Sequence, residues 1–96
     1  MARLEVSPRF KGRLDAFIND YSLPADTKQR VGEILEALQT FPLMGPPLEG
    51  RWVGRRSILG PWNWMLIVYA YDEDADLIAV ATLHDARRKR TARAES

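Results

Sequence analysis

Pro42-Leu43-Met44-Gly45-Pro46-Pro47 is the stretch on which the fold turns. Its prolines can neither continue a helix nor sit inside a central strand, so the segment predicts a loop. The hydrophobic period differs on its two sides. Upstream, Phe10, Leu14, Phe17, Ile18 and Tyr21 form one helical stripe, with Arg9, Lys11, Arg13, Asp15 and Asn19 turned away from it. Ser7-Pro8 reads as an N-cap followed by proline in the first turn, where a missing N–H costs nothing. Ser22-Leu23-Pro24 interrupts this helix. A second helix, starting near residues 24–26, carries Val31, Ile34, Leu35, Leu38 and Phe41 on one face. Gly32 inside it costs about 1 kcal/mol relative to alanine, which suggests a close approach of the two helices. Residues 3–7 alternate polar and apolar, as an edge strand does.

Downstream of the loop, residues 51–59 read as a strand and Gly60-Pro61 as a turn. Residues 62–71 and 77–84 are nearly unbroken apolar runs, separated by the acidic stretch 72–76. Continuous hydrophobicity predicts central strands shielded on both faces. The expected fold class is therefore α+β: an N-terminal strand, an antiparallel helical hairpin, then a three-stranded antiparallel meander completing a four-stranded sheet. At the sequence level the whole sheet is expected to be antiparallel.

The chain has 96 residues, 46% hydrophobic and 28% charged, which suits one small folded domain. That domain is expected over residues 1–90, with 91–96 a flexible tail. The absence of cysteine excludes disulfides, thiolate metal sites, iron–sulfur clusters and cysteine nucleophiles. His84 is the sole histidine, so no multi-histidine metal site can form, and the reading includes neither cofactor nor metal. No apolar run approaches the ~20 residues of a membrane span. Arg3 and Glu5 stand where a signal peptide would begin its apolar core, so a soluble cytoplasmic domain without a membrane partner is expected.

The net charge of +1 is unevenly spread. Arg51, Arg55 and Arg56 form one basic cluster, and Arg87, Arg88, Lys89, Arg90 and Arg93 a second. The balancing acids gather in Asp72, Glu73, Asp74 and Asp76. Local field, more than net charge, selects the anions that approach.

Asp72, Asp74 and Asp76 alternate as in a calcium loop, but Leu77 and Leu83 occupy the sixth and twelfth positions, where glycine and glutamate are needed. A solvated hairpin turn explains the acids better. Ser7, Ser22, Ser57 and Ser96 lack a nucleophile elbow, and Gly54 and Gly60 are isolated, so no phosphate loop is present. His84 is the one side chain that titrates near neutrality when unperturbed. At the end of the last apolar run it can serve as acid or base, with guanidinium groups offsetting phosphate charge; a plain strand-end hydrogen bond is the competing role. Arg55 and Arg56 are read as neighbours on one strand and so point to opposite faces, which allows at most one to line a cleft. Trp52, Trp62 and Trp64 interleave with basic residues, a pattern that serves base stacking but more often belongs to a core.

The order of elements, together with Pro42-Leu43-Met44-Gly45, Leu48-Glu49-Gly50, Gly54-Arg55-Arg56, Trp64-Met65-Leu66-Ile67-Val68-Tyr69 and Ala81-Thr82-Leu83-His84-Asp85-Ala86-Arg87-Arg88, resembles the RelE/ParE superfamily of small type II toxins. The resemblance implies a bacterial or plasmid-borne toxin neutralised by a cognate antitoxin, as a homodimer or a toxin–antitoxin hetero-oligomer. RelE-like members cut messenger RNA on the ribosome without a metal, using basic side chains and often a tyrosine or histidine near the C-terminus. ParE-like members inhibit DNA gyrase. No tyrosine follows Tyr71, and arginines stand where RelE-like nucleases often carry lysines. These departures favour a ParE-like gyrase inhibitor, with a RelE-like messenger RNA endoribonuclease as the alternative. For a nuclease, Arg56, His84 and Arg87 are the implied catalytic set. Trp52, Arg55, Arg88 and Arg90 are the implied target- or antitoxin-binding residues. Arginines 55, 56, 87 and 88 are expected to join His84 on one cationic rim.

Overall fold

The computed structural model describes residues 1–87; the expected tail at 91–96, and Arg88 and Arg90, lie outside the described residues. The elements run β1 (Arg3–Val6), α1 (Pro8–Asp20), α2 (Thr27–Thr40), a 3-10 turn (Gly50–Trp52), β2 (Arg56–Leu59), β3 (Met65–Asp72) and β4 (Leu77–Asp85). Ser7 starts α1 as its sequence predicts: its Oγ accepts the Phe10 N–H at 3.0 Å and donates to the Ala81 carbonyl at 2.7 Å. One side chain thus caps a helix and fastens it to the sheet. Thr27, fully buried at the start of α2, donates its hydroxyl to the Pro24 carbonyl at 2.7 Å.

The strands form one sheet in the order β1-β4-β3-β2. β2, β3 and β4 make the expected antiparallel meander. β1 joins β4 in parallel, with Leu4 opposite Ile78 and Val6 opposite Val80. The α+β class stands, but the sheet is mixed at this edge. Residue alternation reports which side chains face the core and carries nothing about the direction of a neighbouring strand.

One sheet face meets the helices. Met65, Ile67 and Tyr69 of β3 and Ile78, Val80 and Leu83 of β4 pack with Phe10, Leu14 and Phe17 of α1 and Val31, Leu35 and Leu38 of α2. A register shift between Val68 and Tyr69 makes this possible: Val68 opposes Thr82 while Tyr69 opposes Val80, leaving Ala81 as an extra residue. Val80 and Leu83 differ by an odd number of positions, and without the bulge they would point to opposite faces.

Four local expectations are corrected. The strand expected at residues 51–59 is confined to Arg56–Leu59, because the chain first turns through Gly50–Trp52. Arg55 therefore precedes β2 and does not share a strand with Arg56. Phe41 does not complete the buried stripe of α2; it lies beyond the helix end and is 62% exposed. Gly32 does not mark a tight helix crossing, since a Cβ there would meet nothing within 4 Å. It lines an apolar groove of about 350 Å³ between α1 and α2.

Candidate functional site

Arg56 lies opposite Tyr69 in the β2–β3 register, which places it on the helix-covered face. There it braces the proline-rich loop. Its Nη1 donates to the Gly45 carbonyl at 2.7 Å. The Tyr69 hydroxyl donates to the Pro42 carbonyl at 2.8 Å and accepts the Gly45 N–H at 3.0 Å. Burial pushes the Tyr69 phenol above its ordinary pKa, and the Gly45 N–H and the Arg56 charge only partly oppose that. Gly45 is required by close approach: a Cβ would stand 2.5 Å from the Ser57 carbonyl oxygen and 2.8 Å from the Tyr69 hydroxyl.

His84 occupies the other face. It pairs with Leu66, and Leu66 with Leu59, so these side chains point away from the helices. Trp52, delivered by the 3-10 turn, lies edge-on to the imidazole with ring centroids 5.4 Å apart and planes at 76°. The Arg51 guanidinium sits 5.8 Å from the Trp52 ring centroid. Arg55 braces the same turn through its backbone, donating its N–H to the Trp52 carbonyl at 3.1 Å and accepting from Leu48 at 2.8 Å. Trp52 thus links His84 and Arg51 where the connection from α2 to β2 folds across the sheet, and Arg55 is exposed on the same turn.

Asp85 follows His84 and, by alternation, points to the helix side, where it is 7% exposed. Tyr21 donates its hydroxyl to Oδ2 at 2.7 Å. Arg87 donates its backbone N–H and Nε to Oδ1 at 2.9 and 3.1 Å, and Nη2 to Oδ2 at 3.1 Å. Burial alone would raise the Asp85 pKa, but the hydrogen bonds from Arg87 and Tyr21 and the Arg87 charge prevail and hold it at about 2. The Arg87 guanidinium also lies 4.1 Å from the Trp64 ring centroid and 5.0 Å from that of Tyr21.

The structure does not bring the implied set of Arg56, His84 and Arg87 together. Arg56 is committed to loop carbonyls on one face, His84 faces Trp52 on the other, and Arg87 is locked to Asp85. The single cationic rim expected from the sequence is therefore divided. Trp52 does join His84, and Arg55 shares the turn of Trp52 through its backbone. Arg51 completes their group and is absent from the residues implied by the sequence. The signal for it is Gly50 and Gly54, both at positive φ, which bracket a turn where the sequence suggests a strand. The acidic stretch 72–76 is an exposed turn in which Asp72 accepts the Ala75 N–H at 3.2 Å and Tyr71 donates to Asp76 at 2.6 Å. Among the described residues, no group of three or more His, Cys, Asp or Glu side chains is arranged to hold a metal, and no helix is long and apolar enough to cross a membrane.

Chemically, this turn and strand end offer an imidazole, an indole and the Arg51 guanidinium, with Arg55 exposed on the same turn. That is an inventory suited to a nucleic-acid phosphodiester.

No protein-family model and no curated protein matches the chain. Solved structures do match its fold. The isolated E. coli RelE toxin shares 13% identity over 98% of this chain and 99% of its own, with a TM-score of 0.65. The archaeal RelE–RelB complex from Pyrococcus horikoshii shares 17% identity over 91% of this chain and 97% of the matched chain, with a TM-score of 0.65. The toxin–antitoxin complex RelBE2 from Mycobacterium tuberculosis shares 16% identity over 88% and 96%, with a TM-score of 0.61. At these identities the likeness is one of fold, spanning nearly the full length of each chain.

Proposed function

We propose that this chain is the toxin of a type II toxin–antitoxin pair and that it cuts messenger RNA on the ribosome in the RelE manner. The observation that carries the reading is the pairing of His84 with Trp52, beside Arg51 and Arg55, on the sheet face the helices leave uncovered. The likeness of fold to RelE toxins, spanning nearly the whole chain, supports this branch over the ParE-like role that the sequence favours.

In this reading a ribose 2′-oxygen attacks the adjacent phosphorus as the bond to the 5′-oxygen breaks. His84 takes the proton of the 2′-hydroxyl or gives one to the departing 5′-oxygen, and solvent water handles the other, leaving a 2′,3′-cyclic phosphate and a 5′-hydroxyl. Arg51 and Arg55 offset the charge that builds on the phosphate, and Trp52 supplies a surface for a base. Arg56 acts indirectly, by holding the loop in place.

A cognate antitoxin is the second part of the proposal, since two of the three structures described above are complexes of this kind. The groove between the helices, lined by Phe10, Leu14, Val31 and Leu35 and flanked by the Lys28–Asp15 ion pair at 2.8 Å, suits an amphipathic segment that folds as it docks.

The test is induction of the chain alone in a bacterial host, with transcripts mapped and plasmid supercoiling followed. Cut transcripts and intact gyrase activity are expected. His84→Ala should reduce cleavage about 10²–10⁴-fold, the usual loss for a proton-transfer group. Blocked supercoiling with intact transcripts would restore the gyrase reading.

A further inference from the structure

Away from His84, at the end of the molecule where α1 gives way to α2, aromatic rings and arginines form a continuous wall. Arg30 of α2 lies 5.1 Å from the Trp62 ring centroid. Trp62 stacks on Trp64 at 6.3 Å with planes 27° apart, and Arg87 covers Trp64. Trp64 meets Tyr21 edge-on at 5.2 Å. Phe17, next to both, carries Arg13 at 5.3 Å.

A guanidinium laid on a ring keeps its N–H groups in its own plane, directed outward, and loses little freedom when it grips an anion. The three arginines are engaged to different degrees. Arg13 spends Nε on the Leu83 carbonyl, and Arg87 spends Nε and Nη2 on Asp85. Arg30 is exposed and, among the described residues, forms no ion pair with any carboxylate, Asp26 one turn earlier included. The acid within the wall, Asp85, is buried and already neutralised by Arg87. In sequence, Arg88-Lys89-Arg90 continue the positive charge directly after Arg87.

We propose that the Arg30–Trp62–Trp64–Arg87 wall is a second RNA-binding surface, gripping the sugar–phosphate backbone independently of base sequence. The exposed Arg30 guanidinium, pre-oriented on Trp62, matches the paired oxygens of a phosphate, and Arg87 adds positive charge beside it. Trp62 and Trp64 are half-buried against the core and hold the guanidinium groups of Arg30 and Arg87 at the surface. The assignment deepens the function proposed above and takes the chemical class of its partner from it, but it concerns binding and needs no cleavage.

The experiment titrates the purified full chain with a short fluorescent oligouridylate at several salt concentrations. Arg30→Gln should lower affinity several-fold and reduce the slope of log K against log salt by about 0.7, the value for one phosphate left unneutralised on a single strand. Arg30→Lys should keep the slope while losing part of the affinity, because an ammonium does not fork or stack as a guanidinium does. Lys11→Gln, on the far part of α1, should leave the slope unchanged. Matching thermal midpoints for the variants would show that they remain folded. An unchanged slope for Arg30→Gln would overturn the proposal. So would a poly-glutamate probe that binds the wild type and is lost in Arg30→Gln while RNA binding persists. If the wild type fails to cut transcripts in cells yet Arg30→Gln still alters the slope, the nuclease reading falls and the wall stands. The converse pattern removes only the wall.

Discussion

Arg55 and Arg56 are adjacent and carry the same side chain, yet one belongs to a turn and the other to a strand. Arg56 spends its guanidinium on the Gly45 carbonyl and, with Tyr69, fixes the proline-rich loop against the helix-covered face. Arg55 is exposed at the turn that carries Trp52 to His84. The inner face uses polar groups to hold backbone in place; the outer face sets His84 against the Trp52 ring. Charge and spacing alone do not separate these roles. The separation comes from which residue begins the strand.

Substitutions of graded severity sharpen that contrast. Ile67→Ala, on the inner face at 0% exposure, should cost about 2–5 kcal/mol in denaturant unfolding, the usual range for a buried Ile to Ala change. A loss below about 1 kcal/mol would mean that the helices do not close over β3. Tyr69→Phe should cost about 1–3 kcal/mol, because it strands the Gly45 N–H in a buried position. Faster amide exchange through the loop would accompany it, and exchange unchanged there would break the assignment of Tyr69 as its anchor.

Asp85 gives the inner face a pH signature. Its folded pKa of about 2 lies below the ordinary carboxylate value of about 3.9, so the stability it contributes is complete above that value. It is lost as pH falls toward 2. Unfolding curves between about pH 4 and 2 should therefore decline less steeply in Asp85→Asn than in the wild type. The smallest effect belongs to the outer face: Leu59→Ser, at a position 51% exposed, should change stability by less than about 0.5 kcal/mol. A larger loss would show that this face is covered by more than the turn that bears Trp52.

The helices are legible in the sequence because their signals are local. Ser7-Pro8 and the spacing of Phe10, Leu14 and Phe17 contain their own geometry, and the structure reproduces them. The apolar runs of β3 and β4 are legible for the same reason. The candidate site is only partly so. Trp52 and His84 each stand out in the sequence and do meet, with Arg55 on the same turn, but only charge groups Arg56 and Arg87 with them. Arg51 is legible as part of a basic cluster but not as a member of the site, because the turn bracketed by Gly50 and Gly54 reads as part of a strand.

By itself, the sequence determined the class of the domain, the order of its elements and the residue types available for chemistry, since periodicity, caps and breakers act over a few residues. Tertiary structure alone decided that β1 runs parallel to β4, that a bulge at Ala81 sends both Val80 and Leu83 inward, and that Arg56 and His84 look away from each other. Each of these depends on the register between segments far apart in the chain. A shift of one residue in such a register exchanges the two faces of a strand, and no local pattern records it.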